Sequence, residues 1–257
     1  MGSLLEAIFL GVVQGLTEFL PVSSSGHLAL LQMLLGWEHA DENLTFTIVV
    51  HLGSLAAVMI FVGREIRAML TTQPRLLGLV VVATLPVAVV GLLARASIAR
   101  FGAYPAVVGA GLLVTALLLA STKRIREGAS TPGTLSFRKA FLVGVAQVFA
   151  LLPGVSRSGM TLTASMGAGL QRNEALRFAF LMAVPAIGGA GLLLLLKGGA
   201  PNGVRLAPLL AGGAASFLSS FLAMRWMVRV VEKRRLAWFA AYCAAAGLSA
   251  LLFAATR

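Results

Sequence analysis

Cysteine is almost missing from this sequence: Cys243 is the single one in 257 residues. An intramolecular disulfide and any cysteine-based zinc site are therefore excluded, and Cys243, set in an apolar run, reads as a small apolar filler. Aspartate is just as rare, with Asp41 alone, and no histidine follows His51. Charge of either sign is scarce, at 12% of residues where soluble domains carry about a quarter. Negative charge is the scarcer: nine acidic residues face 21 Lys and Arg, for a net charge of +12. In place of charge the chain has apolar residues, 58% of the total, with a mean hydropathy of +0.92. So much apolar surface needs a solvent other than water, and a bilayer supplies one. Met1 to Leu5 has no basic flank, and Glu6 and the polar stretch Gln14 to His27 interrupt the first apolar run. A cleaved signal peptide is not expected there.

Six apolar runs, near 45–63, 76–94, 103–121, 174–196, 206–227 and 236–255, are long enough to cross a hydrocarbon core of about 30 Å. Before the first and again before the fourth lies an apolar segment broken by proline, serine and glycine. The two broken segments match: Gly11, Gln14 and Gly26 recur as Gly144, Gln147 and Gly159, and the same offset of 133 residues carries the first three runs onto the last three. This is an internal repeat. The expected domains are residues 1–121, a linker over 122–137, and residues 138–257. If each broken segment enters and leaves by one face, each half crosses three times. Three is odd, so the second half is inverted, the design that places sites near the midplane. The fold class expected is all-α and polytopic, with six transmembrane helices and two re-entrant helical hairpins.

The basic residues support this arrangement. Fifteen fall on the face reached after the first span, five on the other, and Arg157 stays inside a broken segment. The richer face, which includes the linker, is expected to be cytoplasmic. Both termini and the mouth of the first broken segment then lie outside. Basic residues placed in loops in this way speak for a membrane and against a nucleic-acid surface. If both broken segments crossed fully, there would be eight crossings and the basic loops would be mixed over both faces.

Pro21 and Pro153 each stop a half-helix, and the serines that follow can cap the next one. Each tip then turns backbone N–H groups and a positive dipole end toward the midplane, a ready anion site. Gln14 and Glu18 share one helix face at i, i+4. A carboxylate at that depth costs roughly 2.5–3.5 kcal/mol on insertion scales and calls for a partner. Arg157 on the opposite tip is the candidate, with a phosphate between them, because its planar fork suits phosphate. His27, Ser23, Ser24, Ser25, Ser156, Ser158 and Thr161 add polar groups around the tips. Plainer readings stand beside these. Ser23 and Ser25 can be helix caps, Gln14 and Gln147 can bond each other across the repeat axis, and Glu18–Arg157 can be a structural pair. His51 on the first span and His39 in an outer loop read as structural or solvated, and Arg172 and Glu174 as solvated. The tips differ in chemistry: Glu18 corresponds to Leu151, His27 to Met160 and Ser24 to Arg157. Such a division suits an asymmetric catalyst with nucleophile, base and charge clamp.

The stretch Gln14-Gly-Leu-Thr-Glu18 with the following Ser24-Ser25-Gly26-His27 resembles the (Glu/Gln)-x-x-x-Glu and Ser-Gly-His motifs of bacterial undecaprenyl-diphosphate phosphatases, the bacitracin-resistance family. Pro153-Gly154-Val-Ser156-Arg157-Ser158-Gly-Met-Thr161 resembles that family's Pro-Gly-x-Ser-Arg-Ser-x-x-Thr motif. The likeness runs over essentially the whole chain. Glutamine at Gln14 is a variant the family allows, and it weakens any scheme that needs two carboxylates. The resemblance implies hydrolysis of undecaprenyl diphosphate to undecaprenyl phosphate and phosphate in the bacterial plasma membrane, carrier recycling for the cell wall and bacitracin resistance. It also implies a divalent metal, Mg²⁺ or Ca²⁺, and a pocket that faces outward. On this footing Arg157 and the two tips hold the diphosphate. Contacts come from Gln14, Ser23, Ser25, Gly26, Gly154, Ser156, Ser158 and Thr161, and Glu18 reaches the metal together with the substrate. Ser24 is the favoured nucleophile, activated by Glu18 or His27. Attack by His27 or directly by water stays open, as does assembly into a homo-oligomer. A transporter or flippase of polyprenyl phosphate is the competing function. A phosphatidic-acid-type phosphatase is discounted, since it needs a late histidine oriented by an aspartate.

Overall fold

Proline, serine and glycine punctuate the chain where the sequence predicts. The computed structural model describes residues 4–35, 40–94, 104–197 and 206–256. α1 (Leu4–Phe19) ends just before Pro21, and α2 (Ser24–Leu35) begins after the break Leu20-Pro21-Val22-Ser23. α3 (Ala40–Phe61) is followed by α4 (Gly63–Thr71), turned from it by 68°. α5 (Pro74–Leu93) and α6 (Pro105–Ser121) each open on a proline, which needs no N–H in the first turn. α7 (Phe137–Val148) starts at the Ser136 cap and runs into a 3₁₀ turn, Phe149–Leu151. The second break leads to α8 (Arg157–Gly167), capped by Ser156. α9 (Arg172–Lys197), α10 (Leu206–Glu232) and α11 (Ala237–Ala255) complete the chain. Among the described residues the only β pairing is one isolated bridge, Ser130 to Leu170, so the class is all-α.

Among the described residues, four helices are long and apolar enough to cross a membrane: α5, α9 over Arg172–Leu193, α10 and α11. The bent pair α3 and α4 makes a fifth if taken as one span. α6, the remaining run expected to span, is apolar but has 17 residues, and its expected start at 103 lies outside the described residues. Large side chains such as Leu70, Leu117, Leu218 and Leu252 are exposed on the outer surface. So wide an apolar surface fits lipid and not water.

Small residues set the helix contacts, as expected where packing replaces the hydrophobic drive. α1 lies against α10 so closely that a Cβ on Gly11 would strike the carbonyl of Gly212, and one on Gly15 the carbonyl of Ser216. α7 lies against α5 in the same manner, with Gly144 facing the carbonyl of Ala83. α6 crosses α11 where a Cβ on Gly109 would come 2.9 Å from the Gly247 oxygen. Helix α3 packs on α10, and α9 packs on α5. Serines bond across the first of these contacts: Ser54 Oγ and Ser216 Oγ are 2.9 Å apart, and Ser220 donates to Ser54 at 3.0 Å. Phe19, Phe61 and Phe180 meet edge to face at the centre of the core.

One carboxylate ties the linker to the start of α9 and to the turn that follows α10. Glu127 accepts from Arg172 Nε at 3.1 Å and from Arg234 Nη2 at 2.6 Å. Slight burial pushes the Glu127 carboxyl upward, but the Arg172 hydrogen bonds and the charges of Arg172 and Arg234 outweigh it and hold it below the usual carboxylate range.

Candidate active site

The two breaks meet each other. Ser158 Oγ on the second tip donates to the carbonyl of Leu20 on the first at 2.9 Å. A Cβ on Gly26 would sit 3.1 Å from Gly154 Cα, and one on Gly159 3.2 Å from Pro21 Cβ. Both tips use left-handed backbone, at Ser23 (φ 70°) and Gly154 (φ 88°). Glycine adopts this freely and serine does not. Ser23 is held there because its carbonyl accepts from the His27 backbone N–H at 3.1 Å and its Oγ from the Gly26 N–H at 3.4 Å. On the second tip, Thr115 of α6 donates to the Gly154 carbonyl at 3.0 Å and accepts from the Ser156 N–H at 2.9 Å.

Glu18, at the end of α1 and only 8% exposed, is the hub. Oε1 accepts from Arg157 Nη2 at 2.6 Å. Oε2 accepts from Ser24 Oγ at 2.6 Å and from Gln14 Nε2 at 2.8 Å. His51 Nδ1 donates to the Thr47 carbonyl at 2.7 Å, so its Nε2 is the free ring nitrogen and lies 3.9 Å from Glu18 Oε2. Beside this cluster is a cavity of about 330 Å³, within the range of small-ligand sites. Its polar wall carries Glu18, Ser24, Ser25, His51, Gln147 and Arg157; its apolar wall comes from α5 and α9, through Val87, Ala186 and Ile187.

Six of the twelve residues singled out from sequence border this cavity: Glu18, Ser23, Ser24, Ser25, Ser156 and Arg157. Gln14 stands behind Glu18 as its donor. Gly26 and Gly154 form the close approach of the tips. Ser158 bonds Leu20 and Ser156, and Thr161 donates to the Arg157 carbonyl at 2.9 Å. His27 is turned away from the cavity wall. Its Nδ1 donates to the Ser23 carbonyl at 2.8 Å, its Nε2 accepts from the Tyr242 hydroxyl at 2.6 Å, and its ring stacks on Tyr242. The alternative in which Gln14 and Gln147 bond each other is not what the structure shows: Gln14 Nε2 donates to Glu18, and Gln14 Oε1, Gln147 Nε2 and Gln147 Oε1 have no partner.

Two cavity residues escape the sequence reading. His51 reads as structural there, although an ionisable group within an apolar span is by default a functional one. Gln147 reads only as the repeat mate of Gln14. Chemically, the cavity combines a hydroxyl bonded to a carboxylate, the arrangement of an activated nucleophile, with a guanidinium and two capped helix starts that favour an anion.

Comparison with known proteins agrees with this chemistry. The family model described as Bacitracin resistance protein BacA matches residues 7–249. A protein of Rhodopirellula baltica named undecaprenyl-diphosphatase is 38% identical over 98% of both chains. Proteins of the same name from Christiangramia forsetii and Carboxydothermus hydrogenoformans are each 38% identical, over 97% of both chains.

Proposed function

Since the chain belongs to the bacitracin resistance protein BacA family, we infer that it is a membrane phosphatase that hydrolyses undecaprenyl diphosphate to undecaprenyl phosphate and inorganic phosphate. It thereby recycles the lipid carrier of cell-wall synthesis and confers bacitracin resistance. The observation that carries the reading is the convergence of Ser24, Glu18 and Arg157 on one cavity, with Glu18 and Arg157 139 residues apart in the chain.

Ser24 Oγ is the nucleophile. As it attacks the terminal phosphorus, its proton passes to Glu18 Oε2, 2.6 Å away, and the bond from phosphorus to the bridging oxygen breaks. Undecaprenyl phosphate leaves, its bridging oxygen taking that proton from Glu18, and a phosphoserine forms; water then cleaves it with the re-ionised Glu18 as base, and the proton returns to Ser24 Oγ as phosphate leaves. Arg157 and the starts of α2 and α8 neutralise the oxygens, which is the main demand of phosphoryl transfer. Direct attack by water would use the same groups.

The donor set suits a divalent ion shared with substrate. Among the described residues, Glu18 is the single carboxylate on the cavity wall. A carboxylate has about four lone-pair sites, of which Arg157, Ser24 and Gln14 take three. Mg²⁺ is commonly held by one or two carboxylates plus substrate phosphates, so Glu18 would hold it with the diphosphate. The ion would supply charge neutralisation at the phosphoryl oxygens.

We read the two broken segments as re-entrant hairpins within an inverted repeat of three spans per half, with the cavity open to the outer face of the bacterial plasma membrane. Two features support this. The tips touch at Gly26 and Gly154, and the halves exchange contacts reciprocally, α1 with α10 and α7 with α5, where the repeat offset carries α5 onto α10. The same architecture would serve a transporter of polyprenyl phosphate, and one assay separates the two. Purified protein in detergent should release phosphate from undecaprenyl diphosphate, lose that activity to chelator and regain it with Mg²⁺. Transport needs a sealed membrane and gives no such release. Glu18→Gln and Arg157→Ala should each lower turnover by about 10²-fold or more with expression intact. Full activity in both would overturn the assignment.

A further inference from the structure

A polar atom buried without a partner calls for an explanation, often a ligand that the site is built to meet. Among the described residues, such side-chain atoms occur on Gln14, Gln147, Arg157, Thr163 and Ser165. Only Gln147 and Arg157 also line the cavity. Arg157 lacks a partner at Nη1, and Gln147 at both Nε2 and Oε1. Gln147 is 0% exposed, and an amide shut off from water with nothing to bond is unfavourable. The next wall residues along the chain, Ala150, Leu151 and Val155, offer no polar side chain. The repeat explains how it became free. Gln14 gives its amide to Glu18, whereas the position matching Glu18 in the second half is Leu151. Gln147 therefore has no carboxylate to serve.

We propose that Gln147 is a further substrate-binding residue: its Nε2 donates to a non-bridging oxygen of the same phosphoryl group that Arg157 holds, and its Oε1 accepts from a water that enters with the ligand. The inference rests on the phosphatase reading above. α7 and α8 then each present one donor from the second half, while Ser24 and Glu18 face the phosphorus from the first. Donors aimed at a phosphoryl oxygen in a water-poor site act mainly on the transition state, so kcat falls with kcat/KM when one is lost.

The test is Gln147→Met, which keeps the length of the side chain and removes both unpartnered atoms. Substrate-free Gln147→Met protein should unfold at a higher temperature than the wild type in the same detergent, while kcat/KM for undecaprenyl diphosphate falls about 10-fold or more. A glutamine with a structural role would give the opposite stability change. Thr163→Val serves as a control: it removes an equally buried unpartnered hydroxyl that does not line the cavity, and it should leave activity unchanged. Millimolar inorganic phosphate should raise the unfolding temperature of the wild type and not that of Gln147→Met. The proposal is overturned if Gln147→Met unfolds at an equal or lower temperature, keeps activity within twofold, or gains as much from phosphate as the wild type does. If the wild type fails to release phosphate from the lipid, the phosphatase reading falls, and the unfolding shift with inorganic phosphate still reports on Gln147 by itself.

Discussion

Glu18 concentrates three donors on one carboxylate, and two of them, Gln14 and Ser24, share a single oxygen. His27 is engaged elsewhere. With one ring nitrogen on the Ser23 carbonyl and the other on Tyr242, it braces the left-handed turn at Ser23 from the side of α11. His27→Ala and Tyr242→Phe should therefore not add. The double variant should lose no more kcat/KM than the worse single one, a coupling within the 0.5–3 kcal/mol of contacting pairs. Additive losses in that cycle would show that the contact is not used. The candidate site was legible in sequence where a residue type is costly in a membrane. Glu18 and Arg157 demanded each other, and serines after proline demanded a helix start. Direction was not legible. His27 and His51 differ in which way their rings turn, and that depends on Tyr242 and Thr47, through contacts no local spacing reports. Gln147 was hidden for a related reason, since a repeat mate suggests a symmetric partner and the asymmetry at Leu151 removes it.

Among the elements, the breaks followed their prolines. Helix α1 ends at Phe19 before Pro21, while α7 ends at Val148, five residues short of Pro153. The residue before a proline avoids helical backbone, and here the last turn tightens into the 3₁₀ turn Phe149–Leu151. The sequence also did not foretell the 68° turn into α4; the first run stops being apolar at Arg64 and Glu65, and α4 turns that charged face aside. Helix contacts depend on glycine more than on any large side chain. Gly11→Val and Gly144→Val should each force α1 off α10 or α7 off α5, because the blocking atom is backbone in both cases. The expected loss is about 1–3 kcal/mol or more, read as a lower unfolding temperature and a broadened elution profile in detergent. Gly63, with nothing near its Cβ direction, should tolerate alanine.

For the whole molecule, the placement of the basic residues predicts an orientation that can be checked directly. The native chain has one cysteine, Cys243, buried on α11, so background labelling is low. Lys123→Cys in the linker should stay unreacted with a membrane-impermeant maleimide in intact cells and react once the membrane is opened. A cysteine at Thr256 should react from outside without opening. The reverse pattern would invert the chain and turn the cavity mouth to the cytoplasm. The all-α class and the presence of several membrane-length helices were readable because composition and hydropathy carry them. Which helix lies on which was not, since the decisive contacts join residues about two hundred positions apart, such as Gly11 and Gly212.

That exchange of partners bears on how the chain is made. A ribosome delivers α1 and α3 long before α10 exists, and α5 before α7, so their glycine faces must wait in lipid, uncovered, until the later helices arrive. Maturation cannot proceed one half at a time. Two separately translated fragments, cut within 122–137, would have to find each other in the bilayer before either acquired a working centre.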